Sequence, residues 1–345
     1  MGFTDFLRET VSSPPLLGTV LLTIGVIFVN GWTDAPNAIA TCVTTRCMTP
    51  RGAVRMAAAC NLAGVMVMTR VNAGVAKTIY EIADFGTDGS AARVALCAAM
   101  SAIVIWAVAA WYFGIPTSES HALVAGVSGA AAALGGFGSI RLASWRRVLW
   151  GLPLSVLLGF AFGFAAARAV TAMFRNTPRE KTQTLFRALQ IFGGGAMAFM
   201  HGAQDGQKFI GIFLLGISLS GGGTPTCVPL WLMALCALVM GLGTSVGGGR
   251  IIKSVGQDMV RLSRYEGFSA DAAGAACLLL STLTGLPVST THTKTTAIMG
   301  VGAAKRLRGV NWRVARDMAL AWVLTFPGCG AVGFLTAKLF VRWFA

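Results

Sequence analysis

Along this chain, long stretches without a charged side chain alternate with short polar connections. Uncharged runs extend from Thr10 to Thr33, Met56 to Thr69, Val94 to Ser118, Val148 to Ala167, Phe209 to Gly249 and Met318 to Ala337. About 20 apolar residues cross a bilayer as a helix, so several runs can span and Phe209 to Gly249 is long enough for two. The pattern predicts an all-α polytopic membrane protein of about 10–12 membrane segments.

Polar motifs interrupt this background twice, at matching intervals. GWTDAPNAIAT holds Asp34 and is followed by PTSESH from Pro116 to His121; GAQDGQK holds Asp205 and is followed by PVSTTH from Pro287 to His292. Asp34 lies 82 positions before Pro116 and Asp205 lies 82 before Pro287, and the two copies are offset by 171. Ionisable groups at membrane depth are costly and mark substrate or ion paths. Internal repeats that carry them at equivalent positions are a construction principle of secondary transporters. The expected organisation is a first transmembrane repeat over residues 16–170, a polar linker over 171–183 and a second repeat over 184–339. Pro36, and Gly202 with Gly206, are expected to break the helices beside the two aspartates.

Composition agrees with the pattern: 55% of residues are hydrophobic and only 12% charged, against roughly a quarter charged in a soluble domain. The net charge of +15 sits in connections, as in Arg46, Arg51 and Arg55, or Lys305, Arg306, Arg308, Arg313 and Arg316. That placement fits cytoplasmic loops and anionic headgroups and argues against a nucleic-acid partner. Opposite charge bias at two of the three equivalent loop pairs favours inverted repeats; the third pair is basic in both copies. The eight cysteines form no CxxC pair, so neither a disulfide framework nor a metal site is indicated. Gly247–Gly249 lacks the context of a phosphate loop and reads as a turn. The first apolar segment runs into the Asp34 motif and is read as retained rather than cleaved.

The motif chemistry points to an oxyanion. Pro116 and Pro287 stand where half-helices begin, a favoured proline position. They are followed by Thr117, Ser118 and Ser120 in one copy and Ser289, Thr290 and Thr291 in the other. Hydroxyls at a helix N-terminus with free amides form an anion site, and two such ends meeting at the bilayer midplane would surround a tetrahedral oxyanion. Asp34 and Asp205, with Thr33 and Gln204, offer hard oxygen ligands to a coupling cation, sodium or a proton. Asn37, Gln207 and Lys208 are candidate substrate contacts; Lys208 either pairs with Asp205 or faces the anion. His121 and His292 are read as supports for the motif loops. Glu119, opposite Thr290, is either a proton carrier or a local structural partner.

Together these four motifs resemble the duplicated signatures of the inorganic phosphate transporter (PiT) family over nearly the whole chain. The resemblance implies an inverted-repeat symporter that imports inorganic phosphate with sodium or protons by alternating access at the cell membrane. It places Asp34, Asn37, Asp205 and the Ser/Thr groups of both proline motifs at the phosphate and cation site. Thr33 and Gln204 stand where the family often has Asn, which bears on ion choice. No organic cofactor is expected, and homo-oligomerisation is left open. Alternatives are a proton-coupled phosphate or metal-phosphate carrier, or a carrier of another oxyanion such as sulfate. An intramembrane Ser/His hydrolase would need one asymmetric nucleophile and oxyanion hole, whereas the polar groups here occur in matched copies.

Overall fold

The structure is a computed structural model that describes residues 2–86, 88–113, 117–220, 227–246, 252 and 259–345. Pro116 and the Gly247–Gly249 turn lie outside the described residues. Thirteen α-helices are described: α1 (Phe3–Ser12), α2 (Pro14–Thr33), α3 (Pro36–Thr44), α4 (Pro50–Val71), α5 (Gly74–Tyr80), α6 (Gly89–Phe113), α7 (Glu119–Gly135), α8 (Leu142–Met173), α9 (Arg179–Leu219), α10 (Leu230–Val246), α11 (Arg264–Leu283), α12 (Thr290–Lys305) and α13 (Trp312–Phe344). Outside the helices, the only β pairing among the described residues is one bridge between Ala83 and Ile140.

Five helical stretches are long and apolar enough to cross a membrane: α2 with α3, α4, α6, α8 and α13. Among these, α8 and α13 present most of their surface outward, with Leu149, Leu157, Val323, Leu324 and Leu335 exposed. Exposed apolar faces of this extent require lipid. In contrast, α7 and α12 are buried almost throughout. At ~1.5 Å per residue each is about 25 Å long, short of the ~30 Å hydrocarbon core. These are the half-helices.

Helix neighbours are related by an exchange that swaps α2 with α9, α4 with α10, α6 with α11, α7 with α12 and α8 with α13. Under it, the α8–α12 contact maps onto α13–α7, α4–α9 onto α10–α2, and α9–α11 onto α2–α6. Each half-helix thus packs on the last helix of the other half. Glycine makes these crossings close: a Cβ on Gly64 of α4 would lie 1.9 Å from the Phe199 carbonyl oxygen, and one on Gly300 of α12 would lie 2.1 Å from that of Phe160. Gly243 against Phe28 and Gly129 against Gly330 repeat the arrangement at the other two crossings. Association through small residues with backbones in contact is expected within a bilayer, where lipid removes the hydrophobic drive between helices.

Two expectations change. The chain is interrupted at Asp34, between α2 and α3, but it is not broken at Asp205, because α9 runs unbroken from Arg179 to Leu219. Gly202 and Gly206 serve packing instead. A Cβ on Gly202 would lie 2.3 Å from the Asn61 carbonyl oxygen, and one on Gly206 would lie 2.4 Å from Val65 Cγ2. The basic stretch from Arg179 onward forms the first turns of α9, so only residues 174–178 separate α8 from α9.

Candidate functional site

Four elements converge on one buried point: the α2–α3 junction, the middle of α9, and the N-termini of α7 and α12. At the two N-termini, Ser118 and Ser289 are extended N-caps whose hydroxyls accept from the amides of His121 (3.3 Å) and His292 (3.2 Å). The caps fix the first turns and leave each hydroxyl's own proton as a donor. Behind them the imidazoles of His121 and His292 meet edge to face at 4.4 Å, and His292 packs on Trp322. The histidines hold the two helix starts together.

In front of the caps lie the aspartates, 3% and 1% exposed. Thr290 joins them, its hydroxyl lying 3.1 Å from Asp34 Oδ2 and 3.3 Å from Asp205 Oδ2. Thr291 donates to Asp34 Oδ1. Each aspartate is also held from its own helix, Asp34 by Asn37 Nδ2 at 2.6 Å and Asp205 by Lys208 Nζ at 2.6 Å. Lys208 further donates to Ser120 Oγ and to the Val288 carbonyl. Its ammonium therefore links Asp205 to both proline motifs.

Two further groups complete the site. Asn30 lies one turn before Asp34 and donates to Asp205 Oδ2 at 3.3 Å. His201 lies one turn before Asp205, with Nε2 3.3 Å from Asp205 Oδ2 and 3.9 Å from Asp34 Oδ2. Its Nδ1 is set by Asn61 Oδ1 at 3.2 Å, an arrangement that fixes which ring nitrogen faces the carboxylates. Donor atoms of Asp34, His201 and Asp205 lie within 4.8 Å of one another, close enough to hold one metal ion. The amide oxygens of Asn30 and Asn37 are buried without a hydrogen-bond partner. Orphaned hard oxygens beside two carboxylates are the ligand set a small hard cation takes.

The Thr33 hydroxyl lies between Glu119 Oε1 and the Val29 carbonyl oxygen, within hydrogen-bond reach of both, which ties α2 to α7 beside the aspartates. Gln204 is engaged with Thr282, the Leu286 carbonyl and the Val288 amide, so it supports the approach to α12. Gln207 turns to the Asn72 carbonyl. Thr117 precedes the α7 cap and is part-exposed. His201 and Asn30 carried a signal that sequence reasoning did not use: each sits four residues before a motif aspartate, on one helix face, and the two share the 171 offset.

A fold of crossed helical halves around a closed site of helix N-termini and carboxylates defines a class, the multi-pass membrane transporter. Residues 30–333 match the family model described as the Phosphate transporter family, and the chain belongs to that family. It is a transporter of the cell membrane and not an enzyme. It is 39% identical to a probable low-affinity inorganic phosphate transporter of Bacillus subtilis (strain 168), over 92% of this chain and 96% of the relative. A protein of the same description from Rhizobium meliloti (strain 1021) is 35% identical, over 94% and 96%. Among solved structures, a sodium-dependent phosphate transporter superposes with a TM-score of 0.85 at 22% identity, over 95% of this chain and 99% of that one. This last likeness concerns the fold.

Removing a cap tests the helix-terminus part of the site. Ser118→Ala and Ser289→Ala are each expected to raise the half-saturating phosphate concentration about fivefold, the equivalent of ~1 kcal/mol for a lost cap and donor. Concentration-dependent phosphate uptake reads this out. Unchanged half-saturation and maximal rate in both variants would place the oxyanion elsewhere.

Proposed function

We propose that this chain is a secondary active symporter that imports inorganic phosphate with sodium by alternating access. The observation that carries the reading is the Thr290 hydroxyl between Asp34 and Asp205, where the N-termini of α7 and α12 meet. In this reading phosphate takes the donors of the two helix starts: Ser118, Ser120, Ser289, Thr290, Thr291 and the ammonium of Lys208. The cation takes the carboxylates with the amide oxygens of Asn30 and Asn37. Cation and anion share one cluster, so each raises the affinity for the other, as coupling requires. Asp205 already has the fixed charge of Lys208, whereas Asp34 is held by the neutral groups of Asn37, Thr290 and Thr291. That asymmetry supports a requirement for one tightly held external cation at Asp34.

The experiment is uptake of labelled phosphate into proteoliposomes at fixed pH under an imposed inward sodium gradient. Uptake is expected to collapse when choline replaces sodium and to resist competition by sulfate. Undiminished uptake in sodium-free buffer, abolished by a protonophore, would overturn sodium coupling and direct attention to Glu119. One observation favours a second reading, a carrier of a divalent-metal phosphate complex: the His201 imidazole facing both carboxylates offers a nitrogen ligand that suits zinc or ferrous iron better than sodium. Uptake of the metal in fixed ratio to phosphate would favour it.

A further inference from the structure

A second polar cluster lies one turn from Asn37 and Thr290 and is buried just as deeply as the aspartates. After Asn37 at four-residue spacing come Thr41 of α3 and Thr45, its C-cap; on α12 the position four after Thr290 is Lys294. Lys294, Thr41, Gln190 of α9 and Asp271 of α11 are all 0% exposed. Their contacts converge on one carboxylate. Lys294 Nζ pairs with Asp271 Oδ1, the Thr41 hydroxyl lies 2.9 and 2.8 Å from its two oxygens, and Gln190 Nε2 donates to Oδ2 at 2.6 Å. An ammonium, a hydroxyl and an amide from three helices thus surround an anion supplied by a fourth. Gln190 and Thr45 both pack against Gly267 of α11: a Cβ there would meet Gln190 Oε1 at 2.4 Å and Thr45 Cγ2 at 3.2 Å. Thr45 in turn lines a surface cavity of about 380 Å³ edged by Arg264 and Lys305.

The other half has no counterpart of the ion pair. At the 171 offset, Asp271 and Lys294 correspond to Met100 and Leu123, on the helices that the exchange relates, and Thr41 corresponds to Ile212 of α9. All three are buried within the largest apolar cluster of the molecule. A buried ion pair is at best a weak contributor to stability and is often matched by apolar residues of similar volume. One half has such residues, and the other keeps charges in line with the central site.

We infer that Lys294, Thr41 and Gln190 form a second oxyanion station on the route between the central site and the basic rim, and that Asp271 fills it while the route is closed. Phosphate leaving the central site displaces the Asp271 carboxylate from the same donors, and the carboxylate returns behind it. The station rests on the proposed transport of phosphate, and it adds a stepping point where the charge of the anion is met without water.

The test is the double variant Asp271→Met with Lys294→Leu, which copies the residues of the other half. Purified protein is assayed for phosphate binding in sodium by calorimetry, and proteoliposomes for labelled phosphate uptake. The expected result is binding within about twofold of wild type and uptake reduced at least about tenfold, as loss of a step costing ~1.4 kcal/mol gives. Wild-type uptake in the double variant would overturn the station. Should that variant misfold, a chain retaining Cys42 as its sole cysteine gives a second reading, because Cys42 is buried and receives the Gln190 amide at 3.5 Å. Modification of Cys42 by a water-soluble maleimide is expected to change severalfold when phosphate is added under turnover; no change would overturn the inference. If wild-type protein neither binds nor transports phosphate, the failure is that of the central-site reading instead.

Discussion

Asp34→Asn and Asp205→Asn are each expected to insert and fold normally yet to lose gradient-driven phosphate uptake, to about 1% of wild type or less. Thr290 bridges the two carboxylates, and each accepts several hydrogen bonds that an asparagine reproduces only in part. Substitution keeps volume but removes the charge that, in the proposed function, the coupling cation binds. Losing ~3 kcal/mol from that interaction corresponds to roughly a hundredfold. The measurement is labelled phosphate uptake into proteoliposomes under a sodium gradient, with thermal unfolding as the control for folding. Wild-type rates in both variants would end the assignment of this cluster to transport.

Lys208→Asn should alter coupling rather than simply abolish it. The substitution copies Asn37, which holds the same place beside Asp34 that Lys208 holds beside Asp205. Breaking a buried ion pair from one side costs roughly 3–5 kcal/mol because the remaining charge is uncompensated. Under the proposed sodium coupling, a second sodium ion supplies that compensation. At low sodium, uptake is expected to fall at least about tenfold; as sodium rises it should recover, with steeper concentration dependence than wild type. Sodium titration of initial rates decides the matter. A folded variant with the wild-type sodium curve would exclude Lys208 from charge balance.

Much of this site was legible in the sequence because polar groups are rare in apolar helices. Asp34, Asp205 and the Ser/Thr clusters stood out by composition, and their repetition at one offset gave the pairing. What stayed hidden depended on knowing whether the chain unwinds. A glycine pair such as Gly202 and Gly206 reads the same whether it loosens a helix or admits a neighbouring backbone, and only α4 lying against it distinguishes the two. Once α9 is continuous, residues two apart point roughly 200° from each other. That is why Gln207 turns to Asn72 while Asp205 faces the site. Continuity also brings His201 over Asp205, one turn away. Asp271 and Lys294 were equally hard to read: they lie 23 positions apart on different helices, with no motif linking them, and meet only through the packing of α11 on α12.

The crossed packing of the halves also sets a timetable. When α7 emerges during synthesis, the helix it will pack against most extensively, α13, has not been made: α7 ends at Gly135 and α13 begins at Trp312. At 5–20 residues per second the interval is about 10–35 s. For that time a segment bearing Glu119, Ser120 and His121 waits beside the bilayer without its final neighbour. Within the first half, only partners such as Thr33 of α2, and the packing of α6 on α7, are in place to shelter those groups until the second half arrives.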